Sequence, residues 1–266
     1  YNGNMTDVPA VQRALDESQA TPVFHLAELQ VAVCKADPVG GALVNVIGTL
    51  NLFEAARTLD VNNVVYASSA AVYGLNDDDV VLDETAACEP STHYGVFKRT
   101  NEGNARIYFL DHGVCSVGLR PLTVYGVNRD FGLTSDPTKA MKSAVLGRPF
   151  HIRFGGATDF QYVADTAAAF IACADKTHEG AQVFNLHGET GTVSRITDLI
   201  NEISESALIS FGGPPIPIAP AMSDAAIRKF IGDLPSTPLE IGVPETMDRF
   251  AALRDAGALD TADLDT

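Results

Sequence analysis

Apolar residues return along this chain in two rhythms. Between Ala42 and Leu59 they recur at helical spacing (Leu43, Val46, Ile47, Leu50, Phe53, Ala56), until Val61-Asn62-Asn63 stops the pattern. Short, mainly apolar runs lie between such segments: Val23 to Ala27, Val64 to Ser68, Cys115 to Arg120 and Gln182 to Leu186, the second of them continuous up to its closing serine. A run of that length without polar interruption suits a strand covered on both faces. Val8 to Glu17, Tyr94 to His112, Asp165 to Ala174 and Glu245 to Gly257 predict further helices, and the Pro-rich stretch from Gly212 to Pro220 a loop or linker. The alternation predicts an α/β fold, a doubly wound parallel sheet whose ligands sit at the C-terminal ends of the strands. Ser68, Ser69 and Leu122 fall at such ends.

Length and charge narrow the picture. The 266 residues suffice for one large α/β domain, alone or with a small appendage. A net charge of −16 disfavours nucleic acid and anionic membrane surfaces, so an anionic substrate needs a local basic cluster. Lys139, Lys142, Arg148 and Arg153 crowd one stretch and can form such a phosphate or carboxylate site, or simply a solvated helix face. Cys34, Cys88, Cys115 and Cys173 lack metal-ligand spacing and suit free thiols of a reducing compartment, so no metal is expected. No apolar run is expected to reach bilayer length, and the first residues lack a basic-then-apolar signal; a cytoplasmic protein is expected.

The candidate chemistry centres on Tyr94 and Lys98, which lie i and i+4 on a predicted helix and therefore share a face. An ammonium there can lower the phenol pKa toward neutrality and let Tyr94 take a proton from a secondary alcohol. Tyr-x-x-x-Lys is a weak signal alone, since a helix residue beside a snorkelling lysine gives the same pattern. Ser69, after a strand, can equally cap a turn. Asn45 can be a satisfied core amide, His25 a structural imidazole, Asp165 a helix N-cap, and the aspartates at 77 to 79 a solvated loop.

Six ordered motifs decide between these readings. Gly3-Asn4-Met5, His25-Leu26-Ala27, Asn45-Val46-Ile47-Gly48-Thr49, Ser68-Ser69-Ala70-Ala71-Val72-Tyr73-Gly74, Arg120-Pro121-Leu122-Thr123-Val124-Tyr125-Gly126 and Phe160-Gln161-Tyr162-Val163-Ala164-Asp165 appear in turn. Together they resemble the extended short-chain dehydrogenase/reductases of the NAD-dependent epimerase/dehydratase family. The resemblance implies a Rossmann-like domain over 1–126 and 157–187, with a smaller C-terminal substrate region over 127–156 and 188–266. It implies Tyr94 as general acid/base, Lys98 as its partner and holder of the nicotinamide ribose, and Ser69 as donor to the reacting oxygen. Asn4, Met5, Leu26, Ala27, Asn45, Ala67, Ser68, Pro121 and Leu122 would lie along the cofactor, Thr123, Lys139 and Arg153 along the substrate.

Departures from the family pattern shape the expected activity. Ala70-Ala71 stands where dehydratases carry acids, which disfavours dehydration. Thr158 replaces an arginine that nucleotide-sugar epimerases use for the diphosphate. The chain opens at Tyr1 and shows no glycine-rich first turn, so it is expected to lack the first strands and to hold the dinucleotide weakly. The resemblance implies NAD, with NADP open, and a homodimer formed through the helices from Ala42 and Tyr94. The expected activity is epimerisation of a sugar or nucleotide-sugar; the alternatives are a dehydrogenase of a sugar, sugar acid or similar alcohol, and a non-catalytic binding protein.

Overall fold

A computed structural model of the chain describes residues 3–74, 80–204, 208–218 and 220–265. The aspartates at 77 to 79 lie outside the described residues. In chain order the elements are α1 (Val8–Ser18), β1 (Val23–His25), α2 (Val31–Ala36), α3 (Pro38–Ala42), a π turn (Leu43–Ile47), α4 (Gly48–Thr58) and β2 (Val64–Ala67). A 3-10 turn (Ala70–Val72), β3 (Val81–Leu82), α5 (His93–His112), β4 (Ser116–Arg120) and β5 (Thr123–Tyr125) follow. Then come α6 (Asp136–Val145), β6 (Phe150–Ile152), β7 (Ala157–Tyr162), α7 (Val163–Ala174), β8 (Ala181–Asn185), β9 (Glu189–Thr192) and α8 (Val193–Ile203). The chain finishes with β10 (Ile209–Phe211), β11 (Ala221–Met222), α9 (Ala225–Ile231) and α10 (Leu239–Asp255).

The principal sheet is parallel, in the order β1-β2-β4-β8. Its alternating side chains fill two cores. Val64 and Tyr66 of β2 pack with Val11, Leu52, Phe53 and Ala105 of α1, α4 and α5, while Val65 packs with Val117 and Leu119 of β4, Ala169 and Phe170 of α7 and Ile227 of α9. Helices therefore cover both faces, the doubly wound arrangement that unbroken apolar strands require. Beyond β4 the chain leaves this sheet. Strands β5, β7 and β9 form a second sheet, and their Tyr125, Phe160 and Tyr162 join Met141, Ile196, Leu239 and Phe250 in a separate core with α6, α8 and α10.

Three sequence expectations are corrected. The helix expected from Ala42 runs continuously over 21 residues, from Pro38 to Thr58, and an 18-residue window within it with a mean hydropathy of 1.4 makes it long and apolar enough to cross a bilayer. It is instead packed against α1 and α5, with 44% of its apolar window buried and polar Asn45 and Thr49 inside the fold. Asp165 does not cap α7, which starts two residues earlier; its carboxylate accepts the Thr237 amide (2.6 Å) and hydroxyl (3.0 Å). The last helix begins at Leu239, with Pro244 inside its first turns. The four cysteines are free thiols, Cys34 and Cys173 buried.

Candidate active site

The site forms where β2 and β4 end. After Ala67 the chain turns through Ser68 and Ser69 into the Ala70–Val72 turn, whose first amide, that of Ala70, donates to the Pro121 carbonyl beyond β4 (2.9 Å). Helix α5 docks on that turn. Thr92 caps it by accepting the Gly95 amide (3.1 Å), and a Cβ at Gly95 would lie 2.4 Å from the Ala71 carbonyl oxygen. Glycine at 95 thus lets the helix approach closely enough to bring Tyr94 and Lys98 over the ends of β2 and β4. A cavity of about 270 Å³ lies there, bounded by Ala67, Ser68, Ser69, Tyr94, Pro121 and Leu122 on one side. Glu28, Gln30, Arg129, Thr134 and Ile216 to Ile218 close the other.

Both helix side chains are buried, and the Lys98 ammonium lies 5.5 Å from the Tyr94 ring centre. The shared face expected from the i, i+4 spacing is present. The expected electrostatics are not. Lys98 donates to the Ala67 carbonyl (2.5 Å) and is ion-paired with Glu28, whose carboxylate also accepts the Tyr94 hydroxyl (3.2 Å) and the Gln30 amide (2.5 Å). Burial first, and then the Glu28 charge, push the Tyr94 phenol well above the ordinary tyrosine range; a hydrogen bond from Ser69 and the charge of Arg129 pull the other way. The lysine's positive charge is spent on the carboxylate beside it.

Ser69 does two things at once: its Oγ accepts the Ala71 amide as a turn cap (3.2 Å) and it reaches Tyr94. Ser68 faces inward. Its hydroxyl donates to Glu102 (2.6 Å), which is clasped by Arg120 through Nε (2.7 Å) and Nη2 (2.8 Å), and Arg120 Nη1 donates to Tyr73 (2.7 Å). Ser68 therefore anchors the loop that presents Ser69. Asn45, buried in the π turn, accepts the Leu29 amide (2.7 Å) and donates to its carbonyl (2.8 Å), fixing the segment that carries Glu28. π turns often accompany such sites. His25 sits behind it with Nε2 2.9 Å from the Thr49 hydroxyl; since that hydroxyl donates to Asn45 O (2.7 Å), His25 is the donor, a structural imidazole.

Several expected residues lie elsewhere. Asn4 and Met5 line a different cavity, beside α1, Val23 and Phe24, and Leu26 and Ala27 are exposed past the end of β1. Thr123 is buried against the Thr158 hydroxyl (2.8 Å) and does not reach the cavity. Three of the four basic residues of the expected cluster are engaged by protein groups. Lys139 donates to the Asp263 carbonyl (2.7 Å), Lys142 pairs with Asp130 (2.7 Å) and Asp263 (2.8 Å), and Arg153 clamps Asp136 (2.8 Å), so their charges serve to tie α6 to its neighbours. Two residues at the cavity were not anticipated, Glu28 and Arg129. Their only sequence signals were position: Glu28 follows the His25-Leu26-Ala27 step, and Arg129 follows the Tyr125-Gly126 end of a motif.

The sequence profile described as the NAD dependent epimerase/dehydratase family matches residues 1–186. This chain belongs to that family. Among its relatives are an uncharacterized protein of Methanocaldococcus jannaschii (32% identical over 176 residues, 65% of this chain and 53% of that protein) and the UDP-glucose 4-epimerase of Rhizobium meliloti (29% over 222 residues, 77% and 67%). The crystal structure of Thermus thermophilus UDP-glucose 4-epimerase, a complex with NAD, superposes with a TM-score of 0.82 at 25% identity, over 93% of this chain and 83% of that one. The chain spans between about a quarter and two thirds of the length of the curated relatives it matches first.

Proposed function

We propose that the whole protein is a nicotinamide-dependent enzyme acting by hydride transfer at a secondary alcohol of a sugar-like substrate, epimerisation of a sugar or nucleotide-sugar being the leading form. The meeting of Tyr94 and Ser69 at one cavity beside the strand ends, with Lys98 buried behind them on the Ala67 carbonyl and the Glu28 carboxylate, carries this reading. The nicotinamide end of a dinucleotide fits the residues present. Small side chains (Ala67, Ser68) leave room beside the β2 end, and Glu28, held by Lys98, offers an acceptor to ribose hydroxyls. Bound there, the cofactor supplies the hydride acceptor. In this chain Tyr94 passes its own proton to Glu28, which accepts its hydrogen bond (3.2 Å), and its Oη then takes the substrate hydroxyl proton; Ser69 donates to the same oxygen, and Ile216 to Ile218 give the cavity an apolar wall.

The division into a nucleotide-binding part (1–126 and 157–187) and a substrate part (127–156 and 188–266) is retained as part of this reading. So is a homodimer: Val39, Leu43 and Ile47 on one helix and Ile107 and Leu110 on α5 are exposed apolar residues. Free thiols accord with a cytoplasmic setting. Tyr94→Phe in the full-length protein should lower turnover at least about 100-fold while cofactor binding persists. NADH release during wild-type turnover would mark a dehydrogenase, its absence an epimerase. Activity of Tyr94→Phe within a few-fold of wild type would refute the assignment.

A further inference from the structure

Every charged group around the cavity is matched except one. Glu28 is claimed by Lys98, Gln30 and Tyr94, and Asp130, next to Arg129 in sequence, turns its carboxylate to Lys142 (2.7 Å). Arg129 is half-buried, lines the cavity, and makes no ion pair among the described residues. Its guanidinium is nonetheless held in place: Nη1 donates to the Phe131 carbonyl (2.5 Å) and Nη2 to the Thr134 hydroxyl (3.2 Å). The loop is shaped for that pose. Asn128 has φ +73°, and Gly132 has φ +102°, where a Cβ would lie 2.9 Å from Gln30 Oε1 and 3.2 Å from Arg129 Nη2. A guanidinium has five donors, and no carboxylate lies within ion-pair distance of those left over among the described residues; Glu28 and Asp130 act on it only from farther away.

We infer that Arg129 is the carboxylate-holding residue of the substrate site, and that the substrate is a hydroxy acid derived from a sugar. A partly desolvated guanidinium that feels Glu28 and Asp130 only at a distance lacks a contacting carboxylate, and that partner comes with the substrate. One uncommitted cation matches one negative charge. A diphosphate would bring at least two, and Lys139, Lys142 and Arg153 are all committed elsewhere. With the carboxylate on Arg129, an adjacent secondary hydroxyl can lie toward Tyr94 and Ser69 across the same cavity. The inference rests on Tyr94 being the proton-transferring group and narrows the substrate class for that site.

The test uses full-length, NAD-loaded protein and matched pairs of ligands that differ only in the acid: glycerate and glycerol, erythronate and erythritol, gluconate and sorbitol, with UDP as a diphosphate arm. By isothermal titration, at least one acid should bind wild type about 10- to 100-fold more tightly than its polyol, the span expected for a charge-assisted bidentate contact. Arg129→Met should erase that preference, and Arg129→Lys, which keeps the charge without the fork, should retain part of it. The lysine variant and the wild-type preference decide the matter if the methionine variant does not fold. Wild type that prefers no acid, a preference that survives Arg129→Met, or an Arg129→Met effect on UDP alone would each overturn the inference. Tyr94→Phe measured alongside separates the two failures: it should keep the acid preference while losing turnover, and turnover surviving in it would refute the catalytic reading whatever Arg129 does.

Discussion

Replacing Arg120 by Met tests whether the buried Arg120–Glu102 pair is what holds the Ser68–Ser69 loop at the end of β2. Both side chains are almost fully buried, at 4% and 1% exposure, and the guanidinium donates twice to Glu102, once to Tyr73 and once to the Cys88 sulfur (3.7 Å). Removing one partner of such a pair costs about 3–5 kcal/mol, because the remaining charge stays desolvated without compensation. Glu102 would keep Ser68 (2.6 Å) and the half-exposed Arg99 (3.0 Å), so the lower end, about 3 kcal/mol, is expected. For a chain of this size that corresponds to a fall of roughly 6–12 °C in Tm, or a matching fall in the urea midpoint. The double variant Arg120→Met/Glu102→Met removes both charges and should recover most of the loss, leaving about 1–2 kcal/mol for the stranded Ser68 hydroxyl, since the Tyr73 hydroxyl still donates to Asn185 (2.7 Å). A double-mutant cycle by urea unfolding gives the coupling directly. A loss below about 1 kcal/mol in the single variant, or a double variant no better than the sum of the two singles, would show that the pair is not the clamp.

Two further outcomes follow from the titrating groups. Burial first, and then Lys98, lower the His25 pKa to about 4 against an ordinary 6.5. Its folded pKa is depressed, so the unfolded chain takes up the proton first: stability is whole above about pH 6.5 and falls toward pH 4, by up to about 3 kcal/mol. His25→Gln should flatten that part of the urea-midpoint profile, and an unchanged slope would contradict the buried neutral imidazole. Glu28→Gln removes the charge that, after burial, raises the Tyr94 phenol, so in the full-length enzyme the rate should climb at lower pH than in wild type. A pH–rate profile that does not move would mean that Glu28 leaves Tyr94 once cofactor is bound.

The pattern of the chain determined the four strands of the principal sheet, the helix that carries Tyr94 and Lys98, and the serine turn before it, but not the strands of the second sheet. Those features are local: unbroken apolar runs, i, i+4 spacing and a polar stop within a few residues of one another dictate them before any tertiary contact forms. The same is true of the membership that six ordered motifs implied and the match over residues 1–186 showed. Charge pairing was decided only by the tertiary structure, because an ion pair depends on which side chains the fold brings within a few ångströms, at any sequence separation. Lys98 and Glu28 are 70 residues apart and Lys142 and Asp263 are 121 apart, so neither the neutralised lysine nor the dispersal of the basic stretch is visible in local pattern. The same physics left Arg129, one basic residue among 18, unremarkable in the sequence, and only its burial without a carboxylate partner among the described residues sets it apart.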